Sequence, residues 1–353
     1  MTVSELEQKY PCNHVLTDLQ NNPSVMVYVP KFLMDEVIDG AQHVPHPAFL
    51  VDGQELDGIY ISKFQNVIQN GLAYSLPSRD PATHVTFDEA WNACAAKGTG
   101  YHLMTAAEWG ALALWCQKNG TLPFGNNDTG KDVREGRVCA EIAYHDPENA
   151  IYRTATGSGP VEWSHNRRTD GIYDLNGNVW EWMGGMRLVF GELQVLPNNN
   201  AASSRYSQAH DADAWMAIDG TTGAFITPNG LGTTQNSIKL DFVNGCWFYT
   251  CGEIQSADPH FRFCKFADVT ADRSLSPIAR EYLLAIGCLP VPNGSDHDVE
   301  LYANNGKPER MAFRGGRWGQ GLNAGILKTC FDDPRTYSGD AVGFRSAYYE
   351  ISR

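Results

Sequence analysis

The chain has 353 residues, with 27 basic and 41 acidic side chains, a formal charge of −14, and 34 glycines beside 18 prolines. A hydrophobic share of 42% with 9 Trp, 15 Tyr and 15 Phe suffices for a packed core and excludes a disordered or collagen-like chain. The acidic balance without clustered Lys or Arg argues against a nucleic-acid partner, and no apolar run approaches the roughly 18–20 residues of a membrane-crossing helix.

In chain order, Met1–Glu7 lacks the basic-then-apolar pattern of a secretory signal, so synthesis without an export signal is expected. Residues 1–24 read as an N-terminal extension, followed by one domain over 25–353. Val25–Pro30 and Gly58–Ser62 read as short strands bounded by turn residues. Thr86-Phe87-Asp88-Glu89 is a capping box that opens a helix toward Lys97, with Gly98 as its stop. Thr105-Ala106-Ala107-Glu108 is a second one, and its helix closes at Asn119-Gly120. From 184 to 310 the chain is a loop-rich insertion, expected to hold irregular strands such as Ile238–Phe242 and one short helix near Pro277–Leu284. Nine cysteines include no Cys-x-x-Cys pair; Cys246 and Cys251 can pair across a hairpin, but free thiols are the expected state in a chain without an export signal. The fold class is α+β: two capped helices against a small twisted antiparallel sheet, with much irregular structure.

Three segments carry the most information: His102-Leu-Met-Thr-Ala-Ala-Glu108-Trp109, Gly171-Ile-Tyr-Asp174-Leu-Asn-Gly177-Asn-Val179-Trp180-Glu181-Trp182, and Arg314-Gly315-Gly316-Arg317-Trp318 followed by Gly343-Phe344-Arg345. Period two places Trp180 and Trp182 on one face of an extended segment, and the glycine pair permits close backbone approach. In this order and separation the segments resemble the formylglycine-generating-enzyme-like branch of the C-type-lectin fold, over roughly Met26 to Tyr349. The oxidases of that family hold copper with two cysteines. Counting from the RGG-aromatic signature, the second falls on Cys330 but the first on Gly325, so the resemblance implies the fold without the paired thiolates.

The closing stretch also resembles the variable proteins of diversity-generating retroelements, which use the same lectin-type fold. The fixed frame of that family corresponds here to Arg314, Gly315, Gly316, Trp318, Gly321 and Ala324, then Gly325, Pro334, Arg335, Gly343, Phe344 and Arg345. The positions left over, which the resemblance makes ligand-binding, are Gly319, Gln320, Leu322, Asn323, Ile326, Lys328 and Cys330, then Asp332, Asp333, Tyr337, Gly339, Asp340 and Ala341. Their chemistry is incoherent for an active site and suits a recognition surface, with Tyr337 as aromatic anchor and Asp332 and Asp333 as polar contacts. The expectation is a non-enzymatic ligand-binding protein that displays 319–341 within a variable region 314–345. Its target by resemblance is a cell-surface protein or glycan, its setting a phage virion tail, a prophage or a bacterial surface, and its state a homo-oligomer. The alternative is a copper-dependent formylglycine-generating-type oxidase.

Asp174, Gly177, Val179 and Glu181 match positions that supply calcium ligands in the oxidase family, so a structural calcium is one expectation. Closure of that loop by hydrogen bonds, with Glu181 capping a turn or pairing with an arginine, is the other; no other cofactor is required. Asp296-His297-Asp298-Val299-Glu300 reads as an exposed acidic loop in preference to a metal cluster. Arg314, Arg317 and Arg345 are expected to pair with buried carboxylates or backbone carbonyls.

Overall fold

A computed structural model describes residues 1–292, 294 and 298–350. Two sheets organise the chain. The first has five antiparallel strands in the order His14–Thr17, Pro23–Pro30, Gly58–Ser62, Ser346–Tyr348 and Tyr101–Leu103. The stretch read as an N-terminal extension therefore supplies the edge strand of this sheet, after a helix over Val3–Lys9 that buries Leu6. The second sheet has twelve strands and is built around Trp180–Val189. That strand pairs antiparallel with Arg310–Gly315 and Glu192–Val195 and parallel with Val342–Phe344. All ten of its residues are buried, as an apolar run covered on both faces requires.

Both capping boxes form. Thr86 caps Phe87–Ala95, and Thr105 caps Ala106–Asn119, which ends at Gly120 in the left-handed conformation with φ of 65°. The second helix is apolar nearly all round and lies in the core. Gly110 sits where any Cβ would fall 2.1 Å from the Ala285 carbonyl oxygen, so only glycine lets the helix Pro277–Ala285 pack so closely. That helix is the one expected in the insertion, started by Ser276 and Pro277.

The remainder of 184–310 mostly extends the second sheet. Lys239–Val243 and Cys246–Thr250 form a hairpin whose Asn244-Gly245 turn has φ of 52° and 84°, the positive pair that this tight turn requires. The cysteine expectation fails here: Cys246 is bonded to Cys264 and not to Cys251. Arg262–Lys265 brings Cys264 beside the hairpin, a proximity that spacing along the chain does not reveal. Asp296 and His297 of the acidic loop lie outside the described residues; Asp298 pairs with Lys265.

Candidate functional site

The closing segment is anchored by buried arginines and tryptophans. Arg314 is fully buried and donates to the carbonyls of Ile286 and Gly287 at 2.6 and 3.0 Å. Arg345 grips both oxygens of Glu181 at 2.8 and 2.9 Å, with both side chains fully buried. Arg335 bridges Glu309 and Asp88, each at 2.8 Å. Trp318 donates through Nε1 to the Ala150 carbonyl at 2.8 Å, and Trp180 and Trp182 each meet Phe313 edge-on at 5.0 Å between ring centres. Gly315 and Gly316 turn the chain with φ of 91° and 85°, and a Cβ on Gly316 would strike Ala324 at 2.8 Å. Arg317 reaches the Trp318 carbonyl at 3.5 Å and has no carboxylate partner among the described residues.

On this frame the thirteen expected positions divide. Gln320, Cys330, Asp332, Asp333, Tyr337 and Asp340, with Ala341, line one cavity of about 370 Å³. Leu322 and Asn323 lie on the adjoining 3-10 turn, where Leu322 is exposed, and Gly319 lies on the turn that precedes it. Gly339 lies against the Tyr337 hydroxyl. Display toward solvent does not hold at four positions. Ile326, Lys328, Cys330 and Ala341 are 1, 0, 4 and 8% exposed: the first three lie on Gly325–Phe331, an interior strand flanked by Arg310–Gly315 and Glu300–Ala303, and Ala341 directly precedes the buried strand Val342–Phe344. Ile326 packs into the main core and Lys328 is sealed beneath the cavity.

The Lys328 ammonium lies 4.0 Å from the centre of the Tyr302 ring and 3.5 Å from Glu300 Oε2. Burial outweighs that carboxylate and lowers the ammonium to about 8. Burial, then the neighbouring Asp332, pushes the Asp333 carboxyl up to about 6. The Cys330 thiol is driven well above its ordinary range, first by burial and then by Asp333, so it is held protonated and away from the thiolate that nucleophilic or copper chemistry needs.

Sequence reasoning missed the opposite wall. Phe261, Tyr302, Phe313 and Asn149 complete the cavity, and Phe261 and Phe263 stand 54 and 52% exposed at its edge. The signal was present in His260-Phe261-Arg262-Phe263, where two aromatic residues alternate with polar ones, but nothing local says where that strand docks. A larger cavity of about 810 Å³ lies across the insertion, between Phe190, Lys239 and Ile254, and contains no residue of 319–341.

The calcium expectation does not fit the residues. The centre of that loop is occupied by the side-chain amide of Gln65, whose Nε2 donates to the Asp174 carbonyl at 3.2 Å, the Val179 carbonyl at 2.9 Å and Glu181 Oε1 at 3.1 Å. Glu181 is further neutralised by Arg345, and Gly177 only turns the backbone, its N–H bonded to the Gly315 carbonyl. An amide donor and a guanidinium thus take the oxygens a cation would need. The Asp174 Oδ1 atom is buried without a partner, its Oδ2 accepts from the Gly157 N–H at 2.8 Å, and burial lifts that carboxyl to about 6. No cluster of three or more His, Cys, Asp or Glu suited to a metal occurs among the described residues.

Residues 16–189 match the family described as sulfatase-modifying factor enzyme 1-like domain. The match covers just under half of the chain. The matched stretch includes Pro23–Pro30, Gly58–Ser62 and Tyr101–Leu103 of the first sheet, both capped helices and the Trp180–Val189 strand, and the protein has the formylglycine-generating-enzyme-like form of the C-type-lectin fold. Among solved structures the chain is similar to PvdO from Pseudomonas aeruginosa, at 15% identity over 96% of this chain and 98% of that one, with a TM-score of 0.36. It is also similar to Treponema denticola variable protein 1, at 11% identity over 96% of this chain and 100% of that one, with a TM-score of 0.33. A search of the curated proteins finds no match. Among the described residues, no helix is long and apolar enough to cross a membrane.

Proposed function

We propose that this protein is a non-enzymatic ligand-binding protein of the kind diversified by retroelements, and that residues of 319–341 together with the Phe261 and Tyr302 wall form its recognition surface. The observation that carries this reading is the cavity of about 370 Å³, where side chains from one short segment converge while the backbone beneath them is held by Arg314, Trp318, Arg335 and Arg345. Side chains can vary over such a surface because the hydrogen bonds that define the fold are made by other residues. In the proposal, Asp332, Asp333, Tyr337 and Asp340 contact the target, and Gln320 fixes the turn, its Oε1 accepting from the Arg317 N–H at 2.9 Å. The target is a protein or glycan of a cell surface, reached from a phage tail or a bacterial envelope, and several copies of the chain would act together to raise weak single-site affinity.

A direct test is sequencing of the DNA that flanks the gene. A near-copy of the codons for 314–345 that differs at adenines, beside a reverse-transcriptase gene, is the expected finding; the lack of both removes the retroelement reading. The oxidase alternative is met by one observation, that Cys330 lines the cavity. Incubation with copper and a cysteine-containing peptide, read by mass spectrometry, is expected to give no aldehyde product. Product that disappears in Cys330→Ala would replace the binding reading with an enzymatic one.

A further inference from the structure

The cavity has an unbalanced chemistry. Asp332, Asp333 and Asp340 line it, and none of the three is ion-paired among the described residues. Asp332 takes one hydrogen bond, at 2.7 Å from Asn304 Nδ2, and Asn304 is itself 2% exposed with its Oδ1 left without a partner beside the same wall. Burial first, and then the charge of the adjacent Asp332, raises the Asp333 carboxyl. The opposing positive charges do not cancel them. Arg310 lies near Asp332 and Asp333 without bridging either, and Arg317 stands over Trp318 at 5.5 Å. Lys328 is sealed below and already faces Glu300. The remaining walls are largely aromatic, with Trp318, Trp180, Tyr302, Phe261 and Tyr337, and a single cation, Arg317, lines the cavity against the three carboxylates.

Unpaired carboxylates among aromatic faces attract an organic cation, since the faces carry the negative end of the ring quadrupole and the carboxylates supply net charge. A neutral sugar would use the hydroxyl acceptors and the rings but leave the Asp332–Asp333 repulsion in place, and an anion would add to it. We infer that this cavity receives the guanidinium or ammonium side chain of a basic peptide segment on the target, held by Asp332, Asp333 and Asp340 between Tyr337 and the Phe261–Tyr302 wall. This inference rests on the binding-surface reading above and adds the class of ligand to it. Its size suits such a group, as 370 Å³ lies near the lower end of the roughly 300–1,000 Å³ typical of ligand pockets.

The experiment uses the full chain and a displayed random dodecapeptide library, with an Asp332→Asn, Asp333→Asn double variant as counter-selection. Expected are peptides enriched in Arg or Lys, and a synthetic member whose affinity falls at least about tenfold when its basic residue becomes citrulline or norleucine, or when Asp333→Asn is the receptor. Affinity should also fall with salt. The library yielding no peptides, or peptides whose neutral analogues bind equally, overturns the cation assignment. If those neutral peptides, or neutral glycans on an array, still lose binding in Tyr337→Ala, the surface reading survives with a different ligand class. Binding unmoved by Asp333→Asn and by Tyr337→Ala alike overturns the surface reading as well. Unchanged melting temperatures of the variants exclude unfolding as the cause of any loss.

Discussion

Gln65 shows how one side chain decides the chemistry of a loop. Its amide reaches three oxygens that a cation would otherwise need, and its own Oε1 accepts from Asn178 Nδ2 at 2.9 Å. Replacing it with Leu strands buried acceptors and is expected to cost about 1–3 kcal/mol, read by urea denaturation. Neither millimolar calcium nor a chelator is expected to move the wild-type melting temperature; a calcium-dependent rise would return the metal to the loop. Size and burial likewise separate two aromatic residues at the cavity. Trp318 is 2% exposed and Tyr337 38%, so Trp318→Ala is expected to cost roughly 3–5 kcal/mol and Tyr337→Ala within about 0.5 kcal/mol. Comparable losses in the same denaturation series would make the rim structural and not a display surface.

At the level of elements, the strand Gly325–Phe331 carries residues expected on the surface into the interior. Lys328 is the clearest case. Its ammonium is lowered from 10.5 to about 8 on folding, chiefly by burial, so between these values the unfolded chain binds more protons than the folded one. Its contribution to stability therefore rises with pH from about 8 to 10.5 and is lost as pH falls through about 8. Lys328→Met is expected to narrow the gain in unfolding free energy between pH 7.5 and 10, a difference that chemical denaturation at both values measures. The Phe261–Phe263 ledge depends on another strand, which Cys246–Cys264 ties to the hairpin across a separation of 18 residues. For a loop of that length, reduction is expected to cost about 3 kcal/mol, and the melting temperature should drop on addition of a reductant.

Across the whole molecule, the end of the chain serves both sheets. Val342–Phe344 runs parallel to Trp180–Trp182, and Ser346–Tyr348 lies between Gly58–Ser62 and Tyr101–Leu103. Deleting residues 342–353 is thus expected to abolish the cooperative unfolding transition, as near-ultraviolet circular dichroism would report. Retention of that transition would show that the first sheet closes without its inner strand. The candidate surface lies between two strands of the second sheet, Arg310–Gly315 before it and Val342–Phe344 after it, both paired with Trp180–Val189.

The two helices were legible because capping is local, fixed by side chains three residues apart at Thr86 and Glu89 and at Thr105 and Glu108. The domain signature was legible because Trp180, Trp182, Arg314 and Arg345 are core anchors whose identities the packing demands. The sequence by itself therefore determined the fold class, the capped helices and the frame of the closing segment. The tertiary structure alone decided which frame-free residues face the cavity, that Gln65 bonds the oxygens of Asp174, Val179 and Glu181, that Cys246 meets Cys264, and that Phe261 and Tyr302 form the far wall. Each of these joins residues from 18 to more than 100 positions apart or depends on which strand is covered by its neighbours, and only long-range packing, not local periodicity, sets those distances.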